Sequence, residues 1–138
     1  MTAAIPTESP EGAEQADSRA RVLLVDDDQD TLEDYAELFT LMGVPVLTQA
    51  CPITAASMVL GDPLIRVVVA DVKMEAMDGL SLIAHVRGAL PADRQVHFIL
   101  LTGYDVESIG SQVPGVPVFT KPADFEQLIR HVKQVLAN

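Results

Sequence analysis

Basic residues are scarce in this chain: nine Lys and Arg stand against 20 Asp and Glu, for a net charge of −11. Binding to nucleic acid or to an anionic membrane needs clustered Lys and Arg to meet phosphates, so neither partner is expected. Trp is absent, and two Tyr and four Phe are the only aromatic residues. Cys51 is the single cysteine, which excludes an internal disulfide and a cysteine-based metal site and fits a reducing, cytoplasmic setting. Its expected place is a small position in or at the boundary of the core. No apolar run approaches the roughly 18 residues that cross a bilayer, and Met1-Thr2-Ala3-Ala4 has neither the basic start nor the apolar centre of a signal peptide.

What the chain does have is apolar residues, at 49% of the total, with 21% charged. A length of 138 residues supports one well-covered core and not two. Residues 1–20 (MTAAIPTESPEGAEQADSRA) hold four acids, one base and almost nothing that could enter a core. They are expected to be a disordered acidic tail, with the folded domain over residues 21–138.

Within that domain, apolar runs of two kinds alternate. Arg21 to Val25, Val44 to Thr48, Arg66 to Ala70, Val96 to Leu101 and Val116 to Phe119 are short and rich in Val, Leu and Ile, as strands buried on both faces are. Between and after them lie helical patterns: Asp30 to Met42, with Leu32, Tyr35, Ala36, Phe39 and Met42 on one face and Gly43 at the end; Pro52 to Leu60; Leu80 to Leu90; a weak segment over Asp105 to Gln112 containing Ser108, Gly110 and Ser111; and Phe125 to Leu136. Five strands alternating with five helices demand right-handed crossovers and a parallel sheet covered on both sides.

In such a sheet, chemistry collects at the carboxyl ends of the strands. Four strands here end in distinctive polar residues: Asp26 and Asp27, then Asp71, Thr102 and Lys121. Taken singly each has an ordinary explanation. Asp26, Asp27 and Asp28 could be a solvated loop or the acidic start of a helix, Asp71 could simply end a strand, and Thr102-Gly103 and Lys121-Pro122 could be turns. Taken together they are chemically complementary. Three carboxylates in one pocket make a hard-oxygen site suited to Mg²⁺; Asp71 could then act as a nucleophile toward a phosphoryl group, with the Thr102 hydroxyl and the Lys121 ammonium receiving its equatorial oxygens. His85, His97 and His131 have no metal-ligand spacing and read as structural or surface residues.

The segments V-L-L-V-D-D-D at Val22 to Asp28, D-V-K-M-E-A-M-D-G-L at Asp71 to Leu80, L-T-G-Y at Leu101 to Tyr104 and T-K-P at Thr120 to Pro122 give the chain, over about residues 21–137, a strong resemblance to the receiver domain of two-component response regulators. The resemblance implies an α/β, flavodoxin-like (βα)5 doubly wound fold, its five-stranded parallel sheet in the order 2-1-3-4-5. It implies that Asp71 accepts a phosphoryl group from a histidine kinase or histidine phosphotransfer protein. Asp26, Asp27, Asp71 and the backbone carbonyl of Lys73 would hold Mg²⁺, Asp28 would be an acidic neighbour, Thr102 the switch hydroxyl, and Lys121 the lysine that pairs with the phosphoryl group. Lys73 and Tyr104 would flank that group and set the lifetime of the aspartyl-phosphate, the bulk of Tyr104 slowing its hydrolysis.

Three departures from the family pattern concern output. Glu75 replaces a proline four residues past the acceptor, which removes a restraint from that loop; Val118 stands where an aromatic is common, with Phe119 one place later; and Lys121 follows Thr102 by only 19 residues, shortening the fourth helix. An aromatic switch and dimerisation through the fourth helix, fifth strand and fifth helix therefore lack their usual parts, and the sequence leaves the oligomeric state open. With no output domain after Asn138, the expectation is a stand-alone receiver or relay shuttle that acts through protein–protein contacts with a downstream partner the sequence does not name. It would not be a turnover enzyme beyond its own phosphorylation and dephosphorylation. The alternatives are a receiver fragment of a hybrid kinase or regulator, an Asp-nucleophile phosphatase of the haloacid dehalogenase type, and a phosphorylation-independent interaction domain.

Overall fold

The structure is a computed structural model and describes residues 21–103, 106–121 and 125–137. Expectations about residues 1–20 and Tyr104 lie outside these residues. The elements alternate as β1 (Arg21–Val25), α1 (Gln29–Leu41), β2 (Val46–Gln49), α2 (Pro52–Gly61), β3 (Ile65–Asp71), α3 (Gly79–Ala89), β4 (His97–Thr102), α4 (Val106–Gln112), β5 (Val118–Thr120) and α5 (Phe125–Ala137). All strand pairings are parallel and the sheet order is β2-β1-β3-β4-β5. This is the flavodoxin-like arrangement expected from the sequence.

β3 lies at the centre because both of its faces must be covered. Val68 and Ala70 enter one apolar layer with Ala55, Val59, Leu82, Ile83 and Val86 of α2 and α3. Val67 and Val69 enter the other with Leu32 and Phe39 of α1 and Leu128, Ile129 and Val132 of α5. Each valine so buried stabilises the fold by roughly 1.5–2 kcal/mol. A polar substitution on either face would forfeit that and strand a hydrogen-bonding group.

Helix ends are set locally. Asp28 caps α1, its carboxylate accepting from the N–H groups of Asp30 (3.1 Å) and Thr31 (3.4 Å). The helix stops at Gly43, which takes φ +90°; the N–H groups of Gly43 and Val44 donate back to the carbonyls of Thr40 (3.0 Å) and Phe39 (2.8 Å). This unwinding explains why Met42 departs from the expected inward stripe: it is the C-cap residue, and its side chain is exposed. Cys51 also departs from expectation. It precedes Pro52 in extended backbone at the start of α2, so Pro52 is buried and Cys51 faces solvent.

β5 is shorter than the expected Val116 to Phe119, because Pro117 has no N–H to donate; only its carbonyl joins the ladder, accepting from Leu100 N–H at 3.0 Å. The short α4 has no buried residue. At the opposite edge of the sheet, where helices end, arginines meet the negative helix termini. Arg94 donates to the carbonyls of Leu60, Asp62 and Ile65, and Arg66 to that of Val135. His85 and His97 are exposed, and His131 packs beside the Phe119 ring at 5.9 Å.

Gly79 opens α3 directly against the end of β3. Its N–H donates to the Val72 carbonyl at 2.9 Å, and a Cβ there would meet the Asp71 carbonyl oxygen at 2.6 Å and Leu100 Cδ2 at 2.7 Å. Gly88, in the same helix, has nothing within 4 Å of that position. Gly79→Ala should therefore lower the unfolding free energy in urea by about 2 kcal/mol or more, while Gly88→Ala should raise it by about 0.5–1 kcal/mol. Equal effects would show that the α3–β3 approach is not close-packed.

Candidate functional site

Because the strands are parallel, their carboxyl ends share one edge. Ladder pairing sets Val25 beside Ala70, Asp71 beside Leu101 and Thr102 beside Thr120. The residues that leave those ends therefore converge. Carboxylate oxygens of Asp26, Asp27 and Asp71 all lie within 4.8 Å of one another. Lys121 reaches across from β5, its Nζ 3.0 Å from Asp26 Oδ2 and 3.3 Å from Asp71 Oδ2.

The burial of these groups is graded. Asp26 is 4% exposed, Asp71 is half-buried and Asp27 faces solvent. A buried carboxylate is tolerated only with partners, and Asp26 has them on both oxygens: Asp28 N–H donates to Oδ1 at 2.9 Å and Lys121 Nζ to Oδ2. Burial pushes the Asp71 carboxyl above the usual range; Lys121 opposes this, and the charge of Asp26 adds to it. Burial works against the charge of Lys121, but its hydrogen bond to Asp26 and the charge of Asp71 outweigh it and hold the ammonium above its ordinary value.

Thr102, at the end of β4, is buried, and its carbonyl accepts from Lys121 N–H at 2.9 Å, which ties the lysine backbone to the neighbouring strand end. Lys73 follows β3 with an exposed side chain, and its backbone hydrogen-bonds the Asp71 carboxylate. Asp26, Asp27, Asp71, Lys73, Thr102 and Lys121 thus lie at this one edge. Asp28 serves as the α1 cap.

Two further participants carry weak sequence signals. Glu75 N–H donates to Asp27 Oδ2 at 2.9 Å, so the loop that lacks its proline is tied across to the end of β1 by a bond a proline could not make. Tyr35, which reads in the sequence as one member of an apolar stripe, has its ring centroid 5.7 Å from Lys121 Nζ.

The donor set suits a hard divalent cation. Ligand oxygens about 2.1 Å from Mg²⁺ lie roughly 3–4 Å from one another, within the span that these three carboxylates cover. Oxygen-only ligands, graded exposure and an adjacent lysine fit Mg²⁺ with room for water and a phosphate oxygen, and they do not fit a soft metal.

The structure is a doubly wound α/β domain with a lysine-bridged carboxylate cluster at the carboxyl edge of its sheet. The chain belongs to the response regulator receiver domain family, whose model matches residues 22–133. The fold is also that of a CheY-like receiver domain from Methylobacillus flagellatus, at 22% identity and TM-score 0.71 over 84% of this chain and 98% of that one. The receiver domain of the putative response regulator NarL from Mycobacterium tuberculosis matches at 22% identity and TM-score 0.72, over 85% and 95%. A putative two-component response regulator/GGDEF domain protein matches over 88% of this chain but 51% of its own length, at 22% identity and TM-score 0.74. No curated protein matches the sequence.

With its folded-state pKa raised, Asp71 in its ionised form is what the fold penalises. That penalty is absent below the ordinary carboxylate pKa and fully present once pH exceeds the raised one. Metal-free Asp71→Asn should therefore melt a few degrees above the wild type at neutral pH, with the gap closing as the solution is acidified. A variant that melts lower at neutral pH would show that the Lys121 contact outweighs the burial.

Proposed function

We propose that this receiver domain accepts a phosphoryl group on Asp71 from the phosphohistidine of a histidine kinase or phosphotransfer protein, in a Mg²⁺-dependent reaction, and signals through protein–protein contacts. The observation that carries this reading is the Lys121 ammonium set between Asp26 and Asp71, 3.0 and 3.3 Å from their oxygens.

In the transfer, an Asp71 carboxylate oxygen forms a bond to phosphorus as the phosphorus–nitrogen bond of the donor imidazole breaks. The electron pair of that bond returns to the imidazole nitrogen, and the product is an acyl phosphate. Asp26, Asp27, Asp71 and the Lys73 carbonyl would hold Mg²⁺, which when bound supplies positive charge against the repulsion between the acceptor and the incoming phosphoryl group. Lys121 turns from the carboxylates toward an equatorial phosphoryl oxygen, and the Thr102 hydroxyl donates to another. The raised pKa of Asp71 goes with a more nucleophilic carboxylate once ionised.

On this reading the chain is not a turnover enzyme. Its donor, a phosphohistidine made at the expense of ATP, is a cytoplasmic species, and the cytoplasm is the proposed location. Among the described residues no helix is long and apolar enough to cross a membrane.

Incubation of the full chain with phosphoramidate and Mg²⁺, followed by intact-mass measurement, should add one phosphoryl group to the wild type and none to Asp71→Asn or to a Mg²⁺-free sample. Continuous release of phosphate from a generic phosphate ester, without a stable adduct, would instead mark an Asp-nucleophile phosphatase.

A further inference from the structure

Lys121 carries two demands. Its ammonium must neutralise a buried carboxylate, and on the reading above it must also be free to turn toward a phosphoryl group. The residue follows a strand of only three residues, Val118–Thr120, and its backbone N–H donates to the Thr102 carbonyl at 2.9 Å. A long, flexible stem anchored at one end needs lateral support to keep its charge in one place.

That support comes from α1. The Tyr35 ring centroid lies 5.7 Å from Lys121 Nζ, within the roughly 6 Å over which a cation is attracted to an aromatic face. The ring is itself fixed. It packs against Phe125, at the start of α5, with centroids 5.4 Å apart, and Phe125 meets the fully buried Phe39 edge-to-face at 5.4 Å and 84°. The Tyr35 hydroxyl is also sensitive to the bridge beside it: burial raises its pKa first, Lys121 opposes this, and Asp26 and Asp71 add to it.

The placement of Tyr35, Phe39, Phe119 and Phe125 points the same way, while Phe98 lies in the other layer. Val118, where related sequences commonly put an aromatic, faces the layer under α2 and α3, and α4 has no buried residue to receive a signal there. Tyr35, Phe39, Phe119 and Phe125 all belong to the opposite layer, beneath α1 and α5.

We propose that Tyr35 is the positioning residue for Lys121: its ring face holds the ammonium between Asp26 and Asp71, so that the lysine can turn to the phosphoryl group without leaving its support. The proposal rests on the receiver reading and adds the residue that readies the lysine. It also makes the α1–α5 aromatic layer the first structure to feel the lysine move.

The test compares the wild type, Tyr35→Phe, Tyr35→Leu and Asp71→Asn as full chains. Phosphorylation rate with phosphoramidate is followed by intact mass, Mg²⁺ affinity by calorimetry, and folding by thermal melting. Tyr35→Phe keeps the ring and should phosphorylate within about twofold of the wild type. Tyr35→Leu should be slower by about tenfold while its Mg²⁺ affinity stays within about twofold, because the ring faces the lysine, which is not among the proposed metal ligands. The proposal is overturned if Tyr35→Leu phosphorylates like the wild type, if its Mg²⁺ affinity falls in parallel with its rate, or if Tyr35→Phe is as slow as Tyr35→Leu. Should Tyr35→Leu lose its cooperative melt, Tyr35→Met, which keeps apolar bulk without a ring face, takes its place under the same criteria. An inert wild type, indistinguishable from Asp71→Asn, would overturn the receiver reading itself, and this proposal with it.

Discussion

One lysine set between two carboxylates, at the edge where five parallel strands end, is the contact on which the rest of the structure turns. Asp26 is almost wholly out of water, and a carboxylate so placed is tolerated only with a cation and hydrogen bonds beside it. Lys121 supplies the cation from the far strand β5, and Asp28 N–H supplies a hydrogen bond from the start of α1. The contact exists only because the sheet is parallel and ordered β2-β1-β3-β4-β5, which brings the ends of β1, β3, β4 and β5 to one edge. The same geometry sorts the helix ends. Acids cap or open the helices on the site's edge, at Asp28, Asp30, Asp78, Glu107 and Glu126, while Arg66 and Arg94 meet the carbonyl ends on the other.

The loop after β3 shows how the site is held from outside the cluster. Gly79 allows α3 to start against the carbonyl of Asp71, at a distance that no larger residue could share. Glu75 ties the outer part of the loop to Asp27 through its N–H. A proline there would restrict the backbone but could not make that bond. The loop is thus restrained by a hydrogen bond to the cluster itself, so its conformation and the position of Asp27 are linked.

The fold was legible because its strongest signals are redundant. Three consecutive valines in β3 fit only a strand covered on both faces, and a helix pattern between each pair of strands leaves few topologies. That Asp26, Asp27, Asp71 and Lys121 meet follows from their placement at or just past the strand ends and needs no side-chain detail. Features that escaped the sequence depend on one dihedral angle or one long-range contact. Met42 turns outward because α1 unwinds one residue earlier than its apolar stripe, and Cys51 is exposed because Pro52 takes the buried position. Tyr35 fits an apolar stripe whether or not a lysine from residue 121 lies beside its ring. The backbone bond of Glu75 is invisible in the sequence, since any residue other than proline could make it.

The central claim is that the Lys121 bridge is the resting form of a phosphoryl-binding site. A crystal structure of the full chain with Mg²⁺ and beryllofluoride tests it most directly. The account predicts a beryllofluoride group on an Asp71 oxygen, Mg²⁺ on oxygens of Asp26, Asp27 and Asp71, and Lys121 Nζ moved from the Asp71 carboxylate to a fluoride. A structure in which Asp71 carries no adduct, or in which Lys121 stays on Asp26 and Asp71 beside a bound beryllofluoride, would contradict it.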